Sequence, residues 1–248
     1  MMKLLKYDWK RNSNVILGLM TVLLISETLF TSIGYTRGWE LWLLVLLSML
    51  AYGIVSTILL VIICRTFDQN IKLYNRRLLP IRSIWTIVSS LIQAWISTVI
   101  VMILVIIHLW IFWNIGSLGK IINLPRLITS DYVLMALGGG WKYTFVMITI
   151  FFSIVVARAI RKQWGLWFSI VLFFIIQNVI QWMEYKIFTS DSGWVGQTFS
   201  IRIEEGGTGT PITNETFQIP WGPFIFEILL AGVLIYAMVK LIDRKVEV

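Results

Sequence analysis

Histidine and cysteine occur once each in the 248 residues, as His108 and Cys64, and proline only five times. A single cysteine excludes an intrachain disulfide and a cysteine-rich metal centre, and a single histidine excludes the H-E-x-x-H metalloprotease pattern. His108 alone would have to serve any Ser–His dyad, and no G-x-S-x-G elbow accompanies it. G-x-x-x-x-G-K-[ST] is missing as well, so the chain is expected neither to hydrolyse ATP through a P-loop nor to be catalytic by itself. Charge is equally scarce: 14% of residues are Asp, Glu, Lys or Arg, where a soluble domain carries about 25%. Apolar residues take their place, making up 58% of the chain with a mean hydropathy of +0.81. These proportions exclude an ordinary water-soluble enzyme and direct most of the surface to lipid.

Six apolar runs stand out: Val15 to Ile33, Leu41 to Cys64, Ile84 to Trp113, Tyr132 to Ala157, Trp164 to Trp182 and Trp221 to Leu241. They are near-continuous rather than alternating, and a helix satisfies its backbone hydrogen bonds within the segment, so helices are expected and barrel strands are not. The fold class that follows is all-α, a polytopic membrane protein forming a single domain over residues 1–248. Most of the 13 Trp sit at the ends of these runs, where indole rings favour the bilayer interface. The third run exceeds the ~20 residues needed to cross and must tilt or project. Gly138, Gly139, Gly140 and Lys142 interrupt the outer end of the fourth, as either a close-packing site or a late helix start.

Of the 21 Lys and Arg, 15 fall before the first run, in the second and fourth connections and in the tail, and six fall elsewhere, Lys120, Arg126 and Lys142 among them. The positive-inside rule then places both termini in the cytoplasm. The net charge of +8 is thereby a topology signal of a multi-pass protein of the cell membrane, bacterial by expectation, and no nucleic-acid partner is implied. The apolar stretch after Lys3, Lys6, Lys10 and Arg11 is too long for a signal peptide and lacks a small-residue cleavage site, so it is read as the first membrane helix.

Residues 1–14 place Met2, Leu5 and Trp9 on one helical face and Lys3, Lys6 and Lys10 on another, the pattern of an amphipathic helix at the inner interface, in contact with membrane lipid. The segment 65–83 joins five basic residues to Phe67, Ile71, Tyr74, Leu78 and Leu79, which recur on one face of a short helix that Pro80 would end. Such a ridge suits docking into a groove of a soluble partner; the plainer alternative is a solvated loop that fixes topology. In the outer loop, 183–220, Phe199, Ile201 and Ile203 alternate with polar residues ahead of a glycine-rich turn, a hairpin pattern that suits a lid or a passive excursion. Asn214-Glu215-Thr216 matches the glycosylation sequon.

Ionisable and amide side chains at membrane depth are costly and usually face protein or water. Glu27, His108, Gln177, Asn178, Gln181 and Glu227 fall in the outer half of the spans, with Gln177 and Gln181 on one face at i, i+4. Glu27, Gln177, Asn178, Gln181 and Glu227 are candidates to line a translocation path, the two carboxylates either attracting a cationic cargo or gating by pairing with His108 or Lys142. The alternative is that these groups join helices to one another.

With its basic N-terminal helix, six spans, inward termini and a long first cytoplasmic loop running into Leu79-Pro80-Ile81-Arg82, the chain resembles the membrane subunit of type-2 ABC exporters. The resemblance implies that the 65–82 loop is a coupling helix seated on a separate ATPase. Phe67, Asp68, Tyr74, Arg76, Arg77 and Leu78 would then be the ATPase-coupling residues. It implies two permease subunits, taken as a homodimer, and two ATPase copies that bind ATP and Mg²⁺, with no cofactor on this chain. Among such exporters it is similar to the small ones that export membrane-active peptides and antibiotics, phenol-soluble modulins among their cargo, which implies peptide export or antibiotic resistance. Two readings of other classes stand beside it: a non-transporting sensor or assembly protein, and an ion-coupled secondary carrier, for which no inverted repeat is visible.

Overall fold

The computed structural model describes residues 2–72, 83–116, 129–160, 165–188 and 221–245, and every one of these segments is helical or joins helices. Six helices follow in chain order: α1 (Met2–Thr36), α2 (Leu41–Lys72), α3 (Ser83–Gly116), α4 (Thr129–Ile160), α5 (Gly165–Phe188) and α6 (Trp221–Lys245). All six are long and apolar enough to cross a membrane, and the chain is a multi-pass membrane protein. Among the described residues there is no strand. The helices occur where the apolar runs predict them because hydrocarbon offers the backbone no other partner.

Helix ends depart from the apolar runs. The basic N-terminal segment and the first span form one unbroken helix of 35 residues, so no joint separates residues 2–14 from the span. In that segment Lys6 and Lys10 are exposed and Leu5 and Trp9 are half-buried, while Asp8 and Asn12 are buried. Similarly, α2 continues past Cys64 to Lys72, turning the first part of the expected 65–83 loop into helix. The glycines at 138–140 do not delay α4, which starts at Thr129 and passes through them. Past the membrane surface water can solvate a helix, so these helices end where their caps or sequence stop them rather than where hydropathy does.

Within the single domain expected over 1–248, the chain builds two compact units, residues 1–124 and 125–248. In the first, α1, α2 and α3 pack pairwise against one another. Ile16, Met20 and Leu23 of α1 meet Val55 and Leu59 of α2 and Val101 of α3 in a buried apolar layer. The spacing of 4 and 3 along α1 keeps these residues on one face. In the second unit α4 packs against both α5 and α6, and half of its apolar window is buried, against 11% for α5, which makes α4 the central helix.

The α1–α2 turn is closed by local chemistry. Gly38 has a φ of 65°, a region costly for residues with a Cβ. Around it the amide of Trp39 donates to the Gly34 carbonyl at 2.9 Å and that of Gly38 to the Tyr35 carbonyl at 3.3 Å, the paired bonds of a Schellman cap. The next helix opens on Glu40, whose carbonyl accepts from the amides of Leu43 and Leu44. Gly34 also leaves room for the Leu44 side chain, which would collide with a Cβ there, so the two helices approach closely beside the turn.

Replacing Gly38 with alanine is expected to destabilise the protein by about 1–2 kcal/mol through the forced left-handed φ. Unfolding of purified protein in mixed detergent micelles measures this, with Gly18→Ala, at an exposed mid-helix site that has open space for a Cβ, as the contrasting substitution.

Candidate functional site

The faces of α1 and α2 that meet carry polar residues at both ends and apolar residues between. Along α1 the buried series is Asp8, Asn12, Ile16, Met20, Leu23 and Glu27, and along α2 it includes Ser48, Val55, Leu59, Ile63, Thr66 and Asn70. At the end holding the N-terminus, Asn12 Nδ2 donates to Thr66 Oγ1 at 2.7 Å and the Thr66 hydroxyl donates on to the Ile62 carbonyl at 2.8 Å. Asn70 is held from both sides, accepting from Arg11 Nη2 at 3.3 Å and donating to Asp8 Oδ2 at 3.0 Å. Arg11 closes the ring with an ion pair to Asp8 at 3.7 Å.

This clasp fixes the start of the expected coupling segment. Phe67 is fully buried and Asp68 nearly so, both within the helical continuation of α2. The apolar ridge read along 65–83 therefore does not begin with an outward Phe67: the ring faces into the protein because α2 keeps its buried series for another two turns. Tyr74, Arg76, Arg77 and Leu78 lie outside the described residues, as does the hairpin expected around 199–219 and the sequon at Asn214.

At the opposite end of the same seam Glu27 is almost wholly buried, 4% exposed, and draws together three helices. The Ser48 hydroxyl of α2 donates to Glu27 Oε2 at 2.8 Å. From α3, His108 Nδ1 stands 3.3 Å from the same oxygen. Thr31 lies 3.2 Å from His108 Nε2, and the Tyr52 hydroxyl lies 3.2 Å from Nδ1. The arrangement lets the Thr31 hydroxyl donate to Nε2 while Nδ1–H faces Glu27. Phe112 stacks on the imidazole, ring centroids 4.5 Å apart, and closes the apolar side. Glu27 Oε1 is enclosed without a hydrogen-bond partner.

The second unit has its own buried carboxylate. Glu227 of α6, 1% exposed, accepts from Trp141 Nε1 at 2.9 Å and pairs with the Lys142 ammonium, both on α4. Lys142, read from sequence as an interruption of the run and as a possible partner for Glu27 or Glu227, pairs with Glu227 inside the span. On α5 Glu184 Oε1 is enclosed without a hydrogen-bond partner. The Phe224 ring meets Trp141 edge-on at 5.6 Å and Trp221 at 6.1 Å, setting aromatic surface beside the Glu227 carboxylate. Beside them Pro223, Phe224 and Trp141 line a cavity of about 10 Å³, room for a single water-sized group.

Of the five residues expected along a path, Glu27 lies in the first unit and Gln177, Asn178, Gln181 and Glu227 in the second. Glu27 and Glu227 each anchor a cluster in a separate unit. Gln177 only reaches Thr149 Oγ1 at 3.4 Å, Asn178 turns back on its own helix to the Phe174 carbonyl at 2.8 Å, and Gln181 is exposed. Sequence reading missed Thr31, Ser48, Tyr52, Trp141 and Glu184. Spacing carried the signal: Glu27 and Thr31, and Ser48 and Tyr52, are i, i+4 pairs, and Glu184 extends Gln177 and Gln181 along one face at i+7. On α3, Ser89, Ser90, Gln93 and Ser97 add further buried polar side chains. Among the described residues no group of three His, Cys, Asp or Glu side chains is placed to hold a metal ion.

No protein-family model, curated protein or solved structure matches the chain.

Breaking one partner of a buried ion pair leaves an uncompensated charge, and Lys142→Met is expected to destabilise the protein by about 3 kcal/mol, the low end of the range because the lysine is partly exposed. Adding Glu227→Gln to that variant should recover most of the loss, a coupling that a double-mutant cycle of unfolding in micelles reads directly.

Proposed function

We propose that this protein is the membrane subunit of an ATP-driven exporter, working as a homodimer with two copies of a separate cytoplasmic ATPase that binds ATP and Mg²⁺. The observation that carries the reading is α2, a single unbroken helix from Leu41 to Lys72. It runs from Ser48 and Tyr52, in the Glu27–His108 cluster, to Thr66 and Asn70, in the clasp with α1. A push delivered beyond residue 72 is transmitted along such a rod to the buried carboxylate at its other end. In this account Phe67 and Asp68 anchor the lever inside the protein, and Tyr74, Arg76, Arg77 and Leu78 meet the ATPase. Closure of the ATPases on ATP would displace α2 and open the Glu27 cluster.

The excess of Lys and Arg before the first span, in the 65–83 segment and in the tail supports an orientation with these parts on the cytoplasmic side, in this proposal of a bacterial plasma membrane. Buried acidic groups among aromatic and aliphatic side chains suit a cargo that is both cationic and amphipathic, such as a membrane-active peptide or antibiotic. A second reading, an ion-coupled carrier, draws on the same two carboxylate–base pairs, Glu27–His108 and Glu227–Lys142. A sensor or assembly protein needs no ATPase at all.

Affinity purification of the tagged full chain in mild detergent, followed by mass spectrometry, separates these readings. A stoichiometric P-loop ATPase is expected to accompany the wild-type protein and to be lost when Tyr74 and Leu78 are both replaced by glutamate. Recovery of the chain alone, or with an enzyme of another class, contradicts the exporter reading.

A further inference from the structure

One face of α3 carries polar groups that no other part of the protein meets. Ser90, Gln93 and Ser97 follow one another at three and four residues, and Ser89 stands one turn before Gln93. The four therefore share a face along about 12 Å of helix, at 1.5 Å per residue. None is more than 1% exposed. Even so, the three hydroxyls and both ends of the Gln93 amide have no hydrogen-bond partner among the described residues.

Polar side chains in the other helices behave differently. The Thr57 hydroxyl donates to the Gly53 carbonyl and that of Ser153 to the Thr149 carbonyl, both at 2.8 Å and one turn back on their own helix. The Asn178 amide does the same towards Phe174. Where such groups tie two helices together they find each other, as Asn12 and Thr66 do. The α3 groups take neither course, although an amide or hydroxyl left unpaired in hydrocarbon is costly and each calls for an explanation.

The chemistry of the missing partner follows from the groups. A hydroxyl both donates and accepts, and the glutamine amide donates through its nitrogen and accepts through its oxygen. From Ser83 to Ser97 there is no ionisable side chain to hold an ion. The partner is then neutral and both donor and acceptor, and water is the smallest group of that kind and the usual companion of buried polar atoms. The same face continues to Val101, four residues past Ser97, which is buried in the apolar layer with Leu23 and Leu59, and then to His108.

We propose that Ser89, Ser90, Gln93 and Ser97 form a water-binding track within the membrane, which the apolar layer around Val101 separates from the Glu27–His108 cluster. Neutral groups in a row solvate a passing polar group without trapping it. The place of the track as one stretch of the cargo route rests on the exporter reading; its binding of water does not.

Cysteine labelling of the full chain in opened membrane vesicles tests this with no ATPase present. Cys64 is the chain's single cysteine and is buried, and Cys64→Ala gives a background for Ser90→Cys, Gln93→Cys and Ser97→Cys placed one at a time. Met102→Cys, exposed on the same helix, is the contrast. A cationic methanethiosulfonate attacks the thiolate, which forms in water and not in hydrocarbon. Labelling at 90, 93 and 97 is expected to be about tenfold faster than at 102, or more. Ser90→Cys and Ser97→Cys barely change the side-chain shape and carry the test by themselves if Gln93→Cys does not fold. Labelling at 90 and 97 as slow as at 102, or equal at every position, overturns the proposal and leaves the question of the ATPase untouched.

Discussion

A carboxyl group buried among hydrocarbon side chains has to find its partners on the spot, because the bilayer supplies neither water nor counterions. Glu27 and Glu227 place that demand at the heart of each unit, and much of the packing follows from it. Ser48 and His108 are brought to Glu27 from different helices, which fixes the register of α2 and α3 against α1. Trp141 and Lys142 do the same for α4 against α6. In the absence of a strong hydrophobic force between helices in lipid, directional bonds of this kind decide which faces meet. The apolar layer of Ile16, Met20, Leu23, Val55, Leu59 and Val101 then fills the space that the polar ends have defined.

The same demand gives the first unit its mechanical character. Polar clasps at both ends of the α1–α2 seam and an apolar middle make the pair behave as one body, so a displacement at one clasp is felt at the other. Neither clasp has a fully satisfied set of partners: Arg11 Nε at one end and Glu27 Oε1 at the other are enclosed without a hydrogen bond. Groups left short in this way favour rearrangement over rigidity, since an alternative geometry that supplies a donor or acceptor offsets the cost of moving. A transporter needs such alternatives, and in the proposed exporter they lie on the path from the coupling segment to the carboxylate.

What was legible in the sequence was whatever hydropathy and formal charge record. Six helices, and the two glutamates inside them, are set by transfer free energy and can be read residue by residue. Helix ends were not legible in this way, because Thr66, Asp68 and Asn70 are polar yet remain helical and buried, Thr66 and Asn70 within the clasp. Pairing was only half legible: His108 and Lys142 stood out as possible bases, but the assignment of the first to Glu27 and the second to Glu227 depends on which helices pack together. Thr31 and Ser48 were invisible as partners because the short hydroxyls of Ser and Thr in membrane helices usually bond to their own backbone, as Thr28 does to the Leu24 carbonyl. Glu184 was lost for a simpler reason, the fifth run being read as ending at Trp182 while α5 continues to Phe188.

The central claim, that this chain moves a cationic amphipathic molecule at the expense of ATP, is tested most directly by uptake into inside-out membrane vesicles containing the protein and its co-expressed ATPase. A fluorescent cationic amphipathic peptide serves as the probe. The account expects ATP-dependent accumulation that falls when Glu27 is replaced by glutamine, with no such uptake in vesicles lacking the chain. Accumulation that is equal with and without the protein, or independent of ATP, would contradict it.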